Sequence, residues 1–471
     1  NRAAKLRLDR DDDMIMTGKR HDFVIDYDVG FDADGVIRGI DFTLASRCGM
    51  SADLSGPVND RAMFHVDNTF FLENVHILSH RCRTNTVSNT AFRGFGGPQG
   101  MFAIEYVIDD IARALGKDPL DVRRANFYGE APRNVTHYGQ VVEDNMAPGL
   151  AAELEASSDY RARRAAIAAH NATEPLLRRG IAMTLVKFGI SFTSTLLNQA
   201  GALVHVYKDG TIRLNHGGTE MGQGLYIKVA QVVADEFGVS PERVRITAAD
   251  TSKVPNASAT AASSGSDMNG MAARKAARKI VGRVRACLAA RYGISEARIM
   301  FADNEVRVGD EAMSFEAAVR LAWAERVSLS ATGFYRTPKI HYDRETFSGR
   351  PFYYYAYGAA VSEVAVDTLT GEYRLSRVDI LHDCGDSLNP AIDLGQVEGG
   401  FVQGVGWLTS EELCWDDRGR LTTHAPSTYK IPTCSDLAPD FRVTLLPNAA
   451  NAEETIYRSK AGGEPPLMLG L

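Results

Sequence analysis

The segment Gly462-Gly-Glu-Pro-Pro466 can be built into neither a helix interior nor a central strand. Gly462 and Gly463 permit turns and close approach, whereas Pro465 and Pro466 fix φ and donate no backbone hydrogen bond. One carboxylate, Glu464, is therefore held on a stiff loop, a setting that suits a general base. An isolated glutamate beside prolines is more often a plain surface residue. The functional reading rests on the motifs upstream.

Of the 471 residues, 45% are hydrophobic and 24% charged, which is enough material for two to three domains with cores of their own. A net charge of -7 and a pI near 5.9 argue against a nucleic-acid or anionic-membrane partner. No apolar run approaches the roughly 20 residues that span a bilayer, and no signal peptide opens the chain. Cys48, Cys82, Cys287, Cys384, Cys414 and Cys434 are scattered without a C-x-x-C pair, which reads as reduced thiols in a cytoplasmic protein. The charged start after Asn1 and the apolar end at Leu471 lead to the expectation of a fragment, truncated at both ends.

Alternation of apolar and polar residues around Asp34-Gly35, Asp209-Gly210 and Thr370-Gly371 predicts hairpins over 23–44, 202–214 and 361–381. A period near 3.6 predicts helices from Met101 to Leu115 with a cap at Gly116, from Gly224 to Phe237, and from about Met268 to Tyr292. The last carries Arg274, Lys275, Arg278, Lys279, Arg283 and Arg285 on one face, read as a solvated surface. The polar, alanine-rich stretch over 136–180 reads as a connecting region between a domain over 1–135 and another over 181–471. Interspersed helices and hairpins indicate an α+β fold.

Glycine-rich runs occur at 91–100, 217–224, 260–265 and 395–400. None fits the G-x-G-x-x-G or G-K-[ST] patterns, which removes the common dinucleotide and P-loop readings. Three of them lead into predicted helices, whose free N–H groups can receive a phosphate or another anion. One such loop is an ordinary turn. Several in one chain point to a large anionic organic cofactor held mainly by backbone.

The runs AFRGFGGPQG, KFGISFT, GGTEMGQG, GQVEG and GGEPPL are all present. Together they resemble, over essentially the whole chain, the molybdenum-binding subunit of the xanthine dehydrogenase and aldehyde oxidase family, bacterial type. The resemblance implies two mixed α/β molybdopterin-binding domains. It implies a mononuclear molybdenum on a pterin dithiolene, with oxo, sulfido and hydroxide ligands. Glu464 then matches the base that deprotonates Mo–OH; the oxygen attacks an electron-poor carbon and hydride passes to the sulfido ligand.

By the same resemblance, Arg93 with Gly94, and Ala262 with Ala261, line the molybdenum through their backbones. Gln223 and Gln396 match residues that hydrogen-bond the cofactor or the oxo ligand. Ser263 and Ser264, before a helix start at Ser266 or Asp267, face the cofactor's phosphate. Gly265 stands where the family has a hydroxyl. Phe95 and Phe192 match two rings that sandwich a flat heterocycle, Thr193 a hydrogen-bonding neighbour, and Arg61 the cation that binds a purine oxygen. The implied reaction takes hypoxanthine or xanthine to urate with oxygen from water. Aldehydes or other N-heterocycles are the alternative substrates, and a cofactor-free inactive piece is the non-enzymatic alternative. A partner subunit with 2Fe-2S clusters and FAD passes the electrons to NAD, in a heterotetramer of two copies each. The family's second active-site glutamate is expected before Asn1.

Overall fold

The computed structural model describes residues 2–250, 252–253 and 257–470, so the chain ends Asn1 and Leu471 lie outside it. The helices are α1 (Arg10–Met16), α2 (Ser55–His65), α3 (Gly97–Leu115), α4 (Pro119–Asn126), α5 (Ala147–Ser157), α6 (Tyr160–Thr173), α7 (Leu225–Phe237), α8 (Gly265–Tyr292), α9 (Phe315–Ala324) and α10 (Pro390–Thr409). Strands β1 (Phe23–Phe31), β2 (Ile37–Gly49) and β3 (Val75–Arg83) form one sheet. Strands β4 (Leu177–Ile190), β5 (Gln199–Val206), β6 (Ile212–His216) and β7 (Val244–Ile246) follow. Small strands β8 (Ile299–Ala302), β9 (Glu305–Val308) and β10 (Glu311–Ser314) make a second sheet. The rest are β11 (Ser330–Arg336), β12 (His341–Asp343), β13 (Ser348–Arg350), β14 (Tyr354–Asp367), β15 (Tyr373–His382) and β16 (Asp440–Leu445).

All three hairpins form, as β1/β2, β5/β6 and β14/β15, each antiparallel. Gly35, Gly210 and Gly371 hold φ of 86°, 83° and 78°, the left-handed region that a tight turn demands. Helix α3 stops at Gly116 with φ 66°, and α7 stops at Gly238 with φ 62°. Helix α8 begins at Gly265, three residues before the pattern in Met268 becomes apolar.

The four-stranded sheet β16-β15-β14-β4 divides two cores. Successive residues of a strand point to opposite faces. Accordingly Tyr355, Tyr357, Ala359 and Val361 join one core with α3, α5 and α6 residues, whereas Tyr354, Ala356 and Ala360 join another with Val397, Phe401 and Leu467 to Leu469. Burial on both faces explains why this half of β14 reads as an unbroken apolar run. The second of these cores carries the Glu464 loop.

Sheet β11-β5-β6-β7 packs on α7 and α8 as a third core. A Cβ added at Gly333 of β11 would sit 1.9 Å from the Ala272 carbonyl, so strand and helix touch backbone to backbone. That contact aims the basic face of α8 at the sheet edge, and it is not simply solvated. Lys275 donates to the Phe334 carbonyl at 3.2 Å, Lys279 to Thr332 at 2.8 Å and Arg283 to Ser330 at 2.9 Å. Arg274 and Arg278 instead pair with Glu236. Residues 136–180 also hold more structure than a connector: Leu150, Leu154, Tyr160 and Ile167 of α5 and α6 are buried in the first core.

Candidate active site

Glycine-rich segments meet around a cavity of about 640 Å³, lined among others by Arg93, Phe95, Gln223, Ala261, Ala262, Ser263, Gln396 and Glu464. Three enter helices as expected: 91–100 into α3, 217–224 into α7 and 260–265 into α8. The fourth does not. Residues 395–400 lie inside α10, where glycine serves close packing instead of a turn. A Cβ at Gly400 would meet Pro466 at 2.7 Å, and one at Gly404 would meet the Leu467 carbonyl at 2.1 Å.

Glu464 is fixed at both carboxylate oxygens. The Gly94 N–H donates to Oε1 at 3.1 Å and the Ser263 hydroxyl to Oε2 at 2.7 Å. The Glu464 N–H in turn donates to Ser263 Oγ at 2.9 Å. Arg93 crosses from the other side, donating Nε to the Gly463 carbonyl at 2.6 Å and a terminal nitrogen to the Gln396 carbonyl at 3.0 Å. Burial lowers the Arg93 guanidinium's pKa, and nearby Glu464 opposes the shift.

The backbone here is unusual for its residue types. Phe95, Ala262 and Ser263 hold φ of 51°, 57° and 53°, a region that costs non-glycine residues energy and recurs at functional sites. Gly96 packs against α2 so tightly that an added Cβ would lie 2.0 Å from the Val58 carbonyl. This seats the Phe95 loop on the helix that carries Arg61.

Several expected contacts take another form. The anion position at the α7 N-terminus is filled by Glu220, which accepts from the N–H groups of Gly222, Gly224 and Tyr226 at 3.0, 3.0 and 2.9 Å. Ser264 is buried as the cap residue of α8 and donates to the Ala261 carbonyl at 3.2 Å, away from the cavity lining. Ser263 spends its hydroxyl on Glu464. Gln223 donates to the Thr219 carbonyl at 2.8 Å within its own loop.

The substrate-side residues are less assembled. Phe95 lines the cavity, whereas Phe192 packs against the α7–α8 core and Thr193 is buried beside it. Arg61 is 3% exposed, sandwiched between Phe188 and Phe352 with ring centroids at 4.4 and 4.8 Å. Its guanidinium donates to the Ser191 carbonyl at 2.8 Å and to that of Gly189. Burial lowers its pKa to about 10, which leaves it cationic at neutral pH, and Glu464 opposes the shift. Arg61 is not among the residues that line the cavity, so direct contact with a purine oxygen requires the wall to rearrange.

Other cavity residues escaped the sequence reading. Lys228 of α7 pairs with Asp393 of α10. Lys460 is paired with Asp383 and Asp144, both at 2.7 Å. Asp267 lines the wall and accepts from the Tyr354 hydroxyl at 2.7 Å; burial raises it to about 7, opposed by Tyr354 and Lys228. Each is a single residue whose partner is distant in sequence, so no motif announces it.

Residues 1–127 and 153–438 each match a molybdopterin cofactor-binding domain, and the chain belongs to the molybdenum-binding domains of the xanthine dehydrogenase family. Among relatives, xanthine dehydrogenase/oxidase of Gallus gallus is 45% identical over 99% of this chain, and xanthine dehydrogenase of Dictyostelium discoideum is 46% identical over 99%. The chain spans about a third of their length, 33% of each. Quinoline 2-oxidoreductase from Pseudomonas putida 86 superposes with a TM-score of 0.84 at 22% identity, over 98% of this chain and 59% of that one. An aldehyde oxidoreductase from Desulfovibrio desulfuricans gives 0.82 at 23%, over 98% and 47%. At those identities the likeness concerns the fold.

Proposed function

We propose that this chain forms the molybdenum-cofactor portion of a hydroxylase that oxidises purines such as hypoxanthine and xanthine, with Glu464 as its base. The observation that carries the reading is the Glu464 carboxylate, fixed by Gly94 and Ser263 on the wall of a cavity lined by Arg93, Gln223 and Gln396. The site suits an anionic pterin carrying its own metal ligands. Backbone of strained loops lines the cavity, Arg93 supplies a cation whose hydrogen bonds go to neutral oxygens, and the described residues offer no cluster of three or more metal-ligating side chains.

When bound, the molybdenum–pterin cofactor supplies an activated oxygen and an electron sink. Glu464 would serve as the proton acceptor beside that group, and its two hydrogen bonds keep the carboxylate in one orientation. Arg93 and the buried Arg61 supply positive potential against charge that develops on the substrate. Phe95 offers an aromatic face to a planar ring. Gly94, Ala261, Ala262, Gln223 and Gln396 would hold the cofactor, and Phe192 and Thr193 would belong to the substrate side. Partner domains with 2Fe-2S and FAD centres would carry the electrons to NAD, in a cytoplasmic heterotetramer.

The second reading, an aldehyde or another N-heterocycle as substrate, is favoured by the burial of Arg61, which is not among the residues lining the cavity. Metal and pterin analysis of the purified holoprotein, with xanthine and an aldehyde assayed side by side, tests both. Molybdenum near one per chain and faster xanthine turnover is the expected result. Faster aldehyde turnover transfers the case to the second reading, and absence of molybdenum removes both.

A further inference from the structure

We infer that Tyr354 is a positioning residue for the base, tying the Glu464 loop to Asp267 at the start of α8; this rests on the proposed role of Glu464. Tyr354 opens β14 and is 6% exposed, and Asp267, in the first turn of α8, is 8% exposed. The tyrosine hydroxyl donates to Asp267 Oδ2 at 2.7 Å and accepts from the Ala461 N–H at 3.1 Å. Ala461 begins the Ala461-Gly-Gly-Glu464 loop, whose two glycines carry no side chain to hold it.

The loop is pinned in series. Lys460 is locked to Asp383 at 2.7 Å, Ala461 to Tyr354, Gly463 to Arg93 at 2.6 Å and Glu464 to Ser263 at 2.9 Å. The start of α8 supplies two of these anchors, Ser263 directly and Asp267 through Tyr354. A rigid helix and a central strand thus meet at one hydroxyl and set where the flexible glycine pair begins. Without that hydroxyl, the Ala461 amide loses its acceptor and Asp267 loses its donor in a buried setting. The loop then has room to shift the carboxylate, and a misplacement near 1 Å costs up to about 100-fold in rate.

The test is Tyr354→Phe in the holoenzyme, with molybdenum content, melting temperature, kcat and KM for xanthine measured together. Molybdenum content and KM should stay within about twofold of wild type while kcat falls about tenfold. Asp267→Asn keeps a carbonyl acceptor for the hydroxyl and should retain most of kcat. Asp267→Ala should match Tyr354→Phe, and the double variant Tyr354→Phe/Asp267→Ala should be no worse than either single change. Unchanged kcat in Tyr354→Phe, molybdenum lost in proportion to kcat, or Asn behaving like Ala each overturns the inference. A wild-type holoenzyme with no molybdenum or no turnover removes the functional reading itself, which is a separate outcome.

Discussion

The Ser263 hydroxyl donates to Glu464 Oε2 at 2.7 Å and accepts from the Glu464 N–H at 2.9 Å, so one side chain fixes both the carboxylate and its backbone. Ser263 holds φ 53° to do so, a conformation that a β-branched or bulky residue would resist. The terminal loop and the start of α8 are therefore one mechanical unit.

Replacing Ser263 with alanine keeps the backbone permissible and removes both contacts. Steady-state kinetics of Ser263→Ala should show kcat reduced about tenfold to 100-fold with KM little changed, since substrate contacts survive. A change confined to KM would place Ser263 on the substrate side instead.

Arg61 carries a structural burden, and in the proposed reading an electrostatic one as well. Arg61→Met leaves the carbonyls of Gly189 and Ser191 without their donor, which destabilises the fold by roughly 2 kcal/mol. On the proposed purine reading xanthine turnover should fall much further than aldehyde turnover, because a simple aldehyde has no ring-borne oxygen for the cation to meet. Equal losses on both substrates, with the same drop in melting temperature, would leave Arg61 a purely structural residue.

Asp267 gives a pH dependence whose sign is fixed. Burial raises the folded carboxyl to about 7, above the unfolded value near 3.9, so the folded state binds the extra proton. Its contribution to stability is full below the unfolded pKa and is lost as pH rises toward 7. Melting temperatures of Asp267→Asn and wild type should therefore converge near pH 4, with the variant gaining relative stability by pH 8. A difference that is flat across that range would mean that Asp267 stays ionised.

Lys275, Lys279 and Arg283 cover the carbonyls of β11, an edge strand of its sheet. Cations along an edge block pairing with another chain. The triple change Lys275→Ala/Lys279→Ala/Arg283→Ala should raise self-association in light scattering while leaving the melting temperature nearly unchanged. A scattering profile like that of wild type would assign the covering to other residues.

What could be read in the sequence follows a physical division. The turns at Asp34-Gly35 and Asp209-Gly210 were legible because turn chemistry and strand period agree locally. Helix α10 was not, since glycine is a poor helix former, yet Gly400 and Gly404 are there because Pro466 and Leu467 press against them. Arg93, Gln223 and Glu464 came from contiguous motifs. Asp267 and Lys228 were missed because their partners lie 87 and 165 residues away. Arg61 takes its substrate role from the family resemblance alone, and the two carbonyls it engages are a product of tertiary packing.

The central claim is that Glu464 acts as a base and does not hold the cofactor in place. Glu464→Ala in the molybdenum-loaded protein, with metal content and xanthine turnover measured on one preparation, tests it most directly. The account predicts near-normal molybdenum with turnover reduced at least about 1000-fold. Substantial turnover at full metal content would contradict it.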